Sequence, residues 1–277
     1  MKKLLLIFSA LPLFVSAQNF HFSARVGMAG YQGDLKPKTV SFSQTSFLGS
    51  LGVRYDLTER ITARSYFSLT SLRGDDKKGT ATNQTRNLNF KTSLFEWEAG
   101  VQYNILDPNY SWWIPYVYAG FGIYHFNPYT KDENGAKTFL KPLATEGTDY
   151  KLTQFCIPFG IGVDRSLNED MRVGFEMGYR KLFTDHIDDV SGYYVDQATL
   201  LAAKGQKSVD LAYRGDEVGA GPYPPSGTVR GNPKNKDGYF YIGFTYTLRF
   251  YFDKYKEIAG LPAYKRNKRA GCPSTRY

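Results

Sequence analysis

Cysteine is nearly absent from this 277-residue chain: there are two, Cys156 and Cys272. Cys156 falls inside an alternating segment and Cys272 in the C-terminal tail, so no disulfide staple and no zinc set is expected. Long apolar runs are missing as well. After Leu4–Val15, no stretch approaches the roughly 20 continuous apolar residues of a membrane-spanning helix. There is no Gly-x-Ser-x-Gly elbow, no phosphate-cradling glycine-rich loop and no internal repeat at a solenoid period. Nothing divides the chain into two domains, and nothing in it calls for a cofactor.

The formal charge of +9 is unevenly spread. Lys254, Lys256, Lys265, Arg266, Lys268, Arg269 and Arg276 stand in the tail against Asp253 and Glu257, and Lys2 and Lys3 begin the chain. What lies between is close to neutral, so the basicity is not the distributed footprint of a nucleic-acid binder. Lys2 and Lys3, the apolar run to Val15 and the small residues ending at Ala17 read as a secretory signal peptide over residues 1–17. No cysteine follows Ala17 directly, so lipoprotein processing is not expected. An exported chain of negative mean hydropathy without a spanning helix is periplasmic, secreted or an outer-membrane barrel. With 16% aromatic residues and 27 glycines, the barrel is favoured, because girdles need Tyr and Phe and curved walls accommodate Gly.

The segment Tyr239–Phe252 carries the pattern most clearly. Phe240, Ile242, Phe244, Tyr246, Leu248, Phe250 and Phe252 form an apolar face. Tyr239, Tyr241, Gly243, Thr245, Thr247, Arg249 and Tyr251 form a small or polar one. A period of two with lipid on one side produces this alternation. Seven more alternating segments precede it: 20–28, 47–57, 61–72, 89–105, 114–126, 153–164 and 171–183. Long connections (30–46, 73–88, 127–152, 184–238) alternate with short ones centred on Glu59, Pro108 and Asn168. The fold class predicted is all-β: an eight-stranded antiparallel transmembrane barrel of the outer membrane over residues 18–252. Long loops would lie outside the cell, both termini in the periplasm, and residues 253–277 would form a basic periplasmic tail. Glu96, Glu98, Gln102, Arg172, Glu176 and Arg180 would face the lumen. Eight strands enclose room for side chains only, so ion pairs and no pore are expected.

Candidate chemistry is sparse. Asp185, His186, Asp188 and Asp189, within Thr184–Asp189, form the one dense titratable cluster. They read first as a loop anchor in which carboxylates accept backbone N–H groups and pair with Arg180 or Lys181. The competing readings are a bound cation or an Asp/His pair that activates water, although the spacing is not that of a calcium loop. His21 and His125 are single residues on strands, suited to lumen or girdle. Trp112 and Trp113 beside Pro115 suit an interfacial anchor near a short turn. Within the long loop, 195–213 suggests a short helix and 219–233 an irregular path. Arg214-Gly215-Asp216 is too short to carry an adhesion argument. The tail is too polar to fold alone and reads as an extension lying on anionic lipid or as a peptide that orders on a partner. Tyr255, Tyr264, Lys265, Arg266, Lys268 and Arg269 are its candidate partner-binding residues.

Three groups of residues recur in an order that resembles a known family: Gly27-x-x-Gly30-Tyr31-x-Gly33-Asp34-Leu35, Gly178-Tyr179-Arg180 followed by Thr184–Ser191, and Arg230-Gly231-Asn232-Pro233. Together they resemble the PorG-type outer-membrane barrel of the type IX secretion system. The resemblance implies a non-enzymatic structural subunit that ties a periplasmic ring (a PorK-like lipoprotein and a PorN-like ring subunit) to the outer membrane and its lipids, in support of protein transport and gliding motility. Two other readings compete: a surface barrel that binds a target or ligand through residues 184–238, and a hydrolase at the barrel rim. A soluble lipocalin-like barrel would turn its apolar residues inward instead.

Overall fold

The computed structural model describes residues 20–36, 42–132, 135–168, 170–232 and 236–250. The leader, Cys272 and the tail residues Tyr255, Tyr264, Lys265, Arg266, Lys268 and Arg269 lie outside these. The strands are β1 (Phe20–Gln32), β2 (Thr45–Asp56), β3 (Ile61–Asp75), β4 (Asn89–Asn104), β5 (Trp113–Lys131), β6 (Lys137–Phe139), β7 (Thr153–Ser166), β8 (Met171–Leu182) and β9 (Gly238–Arg249). Every pairing is antiparallel. β1 meets β9 with Met28 opposite Ile242, and β4 meets β5 with Trp97 opposite Ile123, so the sheet closes. β6 pairs only with the end of β5, which leaves eight strands in the ring.

Local chemistry sets the short turns. Thr58 Oγ1 accepts the Ile61 N–H, while the N–H groups of Leu57 and Thr58 reach the Ile61 carbonyl. Asn168 Oδ1 accepts the N–H groups of Asp170 and Met171, an Asx turn. At the opposite end the long connections carry structure of their own: helices α1 (Ala81–Arg86), α2 (Gln197–Lys204) and α3 (Gln206–Ala212), and several 3-10 turns. The single short helix expected within 195–213 is thus two, separated at Gly205, whose φ of +82° suits glycine.

Alternation sorts the side chains as the sequence pattern requires. Outward positions are apolar and open, with Leu51 72% and Phe47 71% exposed, and they continue around the ring through Phe67, Val101, Phe121, Ile161, Met177 and Phe244. Tyr103, Trp112 and Trp113 sit on this surface toward the short turns, and Phe47, Phe155 and Phe183 toward the long loops. A belt of this extent, edged by aromatics, faces hydrocarbon, and the barrel is of the membrane-spanning type. No helix among the described residues is long and apolar enough to cross a membrane, so strands alone provide the crossing.

Inside, four guanidiniums face four carboxylates. Arg25 Nη1 donates to Glu98 (2.9 Å) and Glu176 (3.1 Å), and Arg64 to Glu176 (2.9 Å). Arg54 donates to Asp164 (2.6 Å), and Arg180 to Glu98 (2.7 Å) and Glu96 (3.3 Å). The gaps are filled by aromatic rings: Arg25 lies 3.8 Å over Tyr66 and Arg64 3.9 Å over Tyr118. A Cβ on Gly178 would fall 2.0 Å from the Tyr118 hydroxyl, so the small residue there makes room for the large one opposite. The expected filling by ion pairs therefore holds for the middle of the barrel.

Toward the long loops the filling changes character. Leu48, Leu72, Leu94, Phe126 and Leu182 point inward and join Leu35, Leu88, Tyr150, Ile187, Val190 and Leu211 from the connections in one apolar core. β1, β3 and β5 consequently run three to five residues past their expected ends, because this core supports their pairing beyond the belt.

The belt generates a quantitative expectation. Leu51→Arg places a guanidinium on the lipid face near mid-strand and should cost about 2–4 kcal/mol when folding into bilayers is titrated with denaturant. A value within about 0.5 kcal/mol, typical of a water-exposed site, would contradict the membrane placement.

Candidate functional site

The three recurring groups of residues converge at one place, where β1, β8 and β9 leave the barrel for the long loops. Tyr31, near the end of β1, donates its hydroxyl to Asp188, and the same oxygen lies 3.0 Å from Asp237 Oδ1, just before β9. The Tyr31 hydroxyl therefore bridges two carboxyl groups. Burial, joined by the charge of neighbouring aspartates, pushes both Asp188 and Asp237 well above the ordinary carboxylate range. Asp237 Oδ2 also accepts the Ile187 N–H, which ties the start of β9 to the loop after β8.

Asp189 turns the other way. Its φ of +66° is left-handed, a conformation Asp tolerates. Its carboxylate accepts the hydroxyls of Thr145 (2.6 Å) and Tyr150 (2.7 Å) from the connection after β5. Its carbonyl accepts Arg230 Nη1 at 2.6 Å, and the same nitrogen donates to Glu146 at 2.9 Å. Glu146 Oε1 in turn accepts the N–H groups of Ser191 and Gly192. Asp34 accepts the Asn232 N–H at 2.8 Å, and a Cβ on Gly231 would lie 2.4 Å from that carboxylate. Arg86 of α1 completes the knot, with two 2.8 Å bonds to Asp76 and a third donated to the Arg230 carbonyl.

Asp185 and His186 stand apart from these bonds. Asp185 is 2% exposed and its Oδ2 has no hydrogen-bond partner. Burial, with Asp34 nearby, pushes its pKa up to about 7. His186 stacks on Tyr150 at 4.7 Å, and burial lowers its pKa. No carboxylate among the described residues hydrogen-bonds to His186, and no three His, Cys, Asp or Glu side chains converge there as metal ligands.

The four cluster residues thus act separately. Asp188 and Asp189 hold groups from other segments of the chain, and their partners are not the Arg180 and Lys181 expected. Arg180 points down into the lumen, where Glu96 and Glu98 hold it, and Lys181 points outward; neither pairs with the cluster. Tyr31, Thr145, Glu146, Tyr150, Arg230 and Asp237 supply the bonds instead, from positions 39 to 157 residues away in sequence for the pairs with Asp188 and Asp189. No local spacing could have announced these pairings. His21 lies in the lumen 3.7 Å from Asp56, and His125 faces outward with its Nδ1 2.9 Å from Thr153 Oγ1. Cys156 is a buried free thiol whose Sγ lies 3.5 Å from Glu96.

Residues 1–201 match the family model of a domain of unknown function, DUF6089, and the chain belongs to that family. No curated protein matches it. Among solved structures it is similar to Neisserial surface protein A (12% identity, 83% of this chain, 97% of that one, TM-score 0.42). It is also similar to the outer-membrane protein OprG of Pseudomonas aeruginosa (11%, 84%, 98%, 0.41) and to a major outer-membrane protein of Thermus thermophilus (11%, 83%, 99%, 0.41). What this chain shares with them is the closed antiparallel ring, which its own strand pairing shows.

The buried carboxyls of the knot and of Asp185 beside it set a pH dependence. A carboxyl whose folded pKa exceeds its unfolded value binds more protons when folded, so stability falls as pH rises between the two values. From near 3.8 up to about 7 for Asp185, protection of residues 184–238 should therefore decline. Hydrogen exchange corrected for intrinsic rates should show this decline, and Asp185→Asn should lessen it, with the raised carboxyls of Asp188 and Asp237 supplying the remainder. A protection that rises with pH would contradict the assignment.

Proposed function

We propose that this chain is a non-enzymatic protein of the outer membrane whose work is anchorage. The barrel holds its place in the lipid and presents its short-turn end to a periplasmic assembly, of which the type IX secretion ring with its PorK-like lipoprotein and PorN-like subunit is the specific candidate. The observation that carries this reading is the filled interior. Arginine–carboxylate pairs occupy the middle of the lumen and an apolar core seals its long-loop end, which leaves the wall and the ends as the working surfaces.

Several features support the finer statement. The N-terminal leader directs export, the belt requires a bilayer, and the three groups of residues that resemble PorG-type barrels build the knot. A non-enzymatic role is supported by the dispersal of Asp185, His186, Asp188 and Asp189, two of which are saturated by hydroxyl and amide donors. Both described ends of the chain lie together: the Phe250 N–H donates to the Phe20 carbonyl at the short-turn end. Phe250, the last described residue before the tail, therefore lies on the same side as the turns around Glu59, Pro108 and Asn168. Tyr110, 84% exposed, and Trp112 lie at the same end of the barrel, in the connection between β4 and β5. With long loops outside the cell this end is periplasmic, and the proposed contacts with a ring are Tyr255, Tyr264, Lys265, Arg266, Lys268 and Arg269, which follow it in sequence.

A mild-detergent pull-down from native membranes tests the proposal, with full-length protein compared with a chain ending at Phe252. Full-length protein should recover a periplasmic ring subunit and a lipoprotein. The shortened chain should lose both while retaining the heat-modifiable migration of a folded barrel. A solitary full-length barrel would overturn anchorage, and a shortened chain that keeps the ring would overturn the role of the tail.

A further inference from the structure

A cleft of about 1150 Å³ opens at the long-loop end between β8, α1 and the loop 184–238. This exceeds the roughly 300–1,000 Å³ of ordinary small-molecule pockets. Its lining cations are only partly paired within the protein. Arg86 lines it but is spent on Asp76, and Asp237 lines it but is held by Tyr31 and Ile187. Lys181 and Lys236 have no carboxylate within ion-pair distance among the described residues. Arg230 is 4% exposed; its Nε and Nη1 are taken by Ala212, Glu146 and Asp189, while its Nη2 donates to none of the described residues. Lys181 and Lys236 thus face the cleft without an ion-pair partner among the described residues, against one lining carboxylate not held by a side-chain donor, that of Asp34. The buried guanidinium of Arg230, paired with Glu146, adds the N–H groups of its Nη2.

The neutral lining narrows the class of ligand. Tyr194 and Tyr213 meet each other and Tyr223 edge to face, with centroids 5.7–6.0 Å apart and planes 74–81° apart. The three rings are thus fixed against one another at steep angles and do not form a parallel stack. What the walls offer is hydroxyl and amide groups, from Thr82, Asn83 and Asn232 among others. Such groups suit a polyhydroxylated ligand, and cations with incomplete coordination suit an anionic one.

We infer that this cleft binds an anionic saccharide, phosphorylated or carboxylated, at the long-loop face of the barrel. Its acidic group meets Lys181, Lys236 and Arg230, and its hydroxyls meet the Thr, Asn and Tyr walls. Tyr179 and Lys181 leave β8 on the same side as Phe175 and Met177 of the belt, so the cleft reaches the level of lipid headgroups. The saccharide can therefore be carried on a surrounding lipid or arrive free from solution. This inference stands independently of the periplasmic anchorage.

Titration of the full-length protein in detergent micelles tests it with three probes: tetragalacturonate as a free acidic glycan, a short-core lipopolysaccharide in mixed micelles as a lipid-borne phosphosugar, and maltotetraose as a neutral glycan. At least one acidic probe should bind, and maltotetraose should not. The double variant Lys181→Glu/Lys236→Glu, at two exposed positions, should weaken that binding by about tenfold or more with the barrel still heat-modifiable. The acidic probe that binds identifies the source. Absence of binding to both acidic probes, equal binding of maltotetraose, or an affinity unchanged in the double variant would overturn the inference.

Discussion

The pairing of charge inside a narrow, water-poor lumen is the constraint on which the rest of this structure depends. An eight-stranded ring has no space to hydrate Arg25, Arg54, Arg64 and Arg180, so each must find a carboxylate across the barrel. Removing one partner of such a pair costs about 3–5 kcal/mol, because the charge left behind is buried without compensation. The partners lie on β1, β2, β3, β4, β7 and β8, so the network joins strands far apart in the ring. It also fixes the facing of each strand, since a slip of one residue would turn its arginine or glutamate into lipid.

Above this charged layer the protein behaves like a soluble domain set on a membrane stalk. Strands continue past the belt, the connections supply Leu35, Leu88, Tyr150, Ile187 and Val190 to an apolar core, and the knot around Asp188, Asp189 and Arg230 pins the loops to that core. The division explains the two kinds of buried aspartate. Asp164 in the lumen is held by the guanidinium of Arg54, whereas Asp188 and Asp237 share a phenol and Asp189 takes hydroxyls. The first arrangement locks a wall. The second closes a lid with groups whose protonation can change.

Much of the wall was legible in the sequence because its cause is local. A period of two between lipid and lumen marks every strand, and the short-turn ends fall within about two residues of expectation, as at Asp56 and Ile61. Glu96, Glu98, Glu176 and Arg180 were identifiable as lumenal from parity alone. The long-loop ends were harder to read, because Leu48, Leu72, Leu94 and Leu182 continue the inward face with apolar residues and blur the alternation. The knot was legible only in part. Asp185 to Asp189 stand out as a cluster, but their partners Tyr31, Tyr150 and Arg230 come from other connections, a matter of tertiary closure and not of spacing. Arg180 drew attention as a partner because it is close in sequence, and the pleat turned it away.

A barrel sealed in this way serves by where it sits and what its two ends hold, and we propose that the short-turn end meets a periplasmic partner while the cleft lies at the opposite end. The most direct test of a filled, scaffold-like barrel is the conductance of the purified full-length protein in a planar bilayer. The account predicts a trace that stays at baseline across applied voltages after insertion has been verified by heat-modifiable migration. A steady open-channel current would contradict it, since ions could pass only if the arginine–carboxylate layer and the apolar seal above it were not the resting state of the lumen.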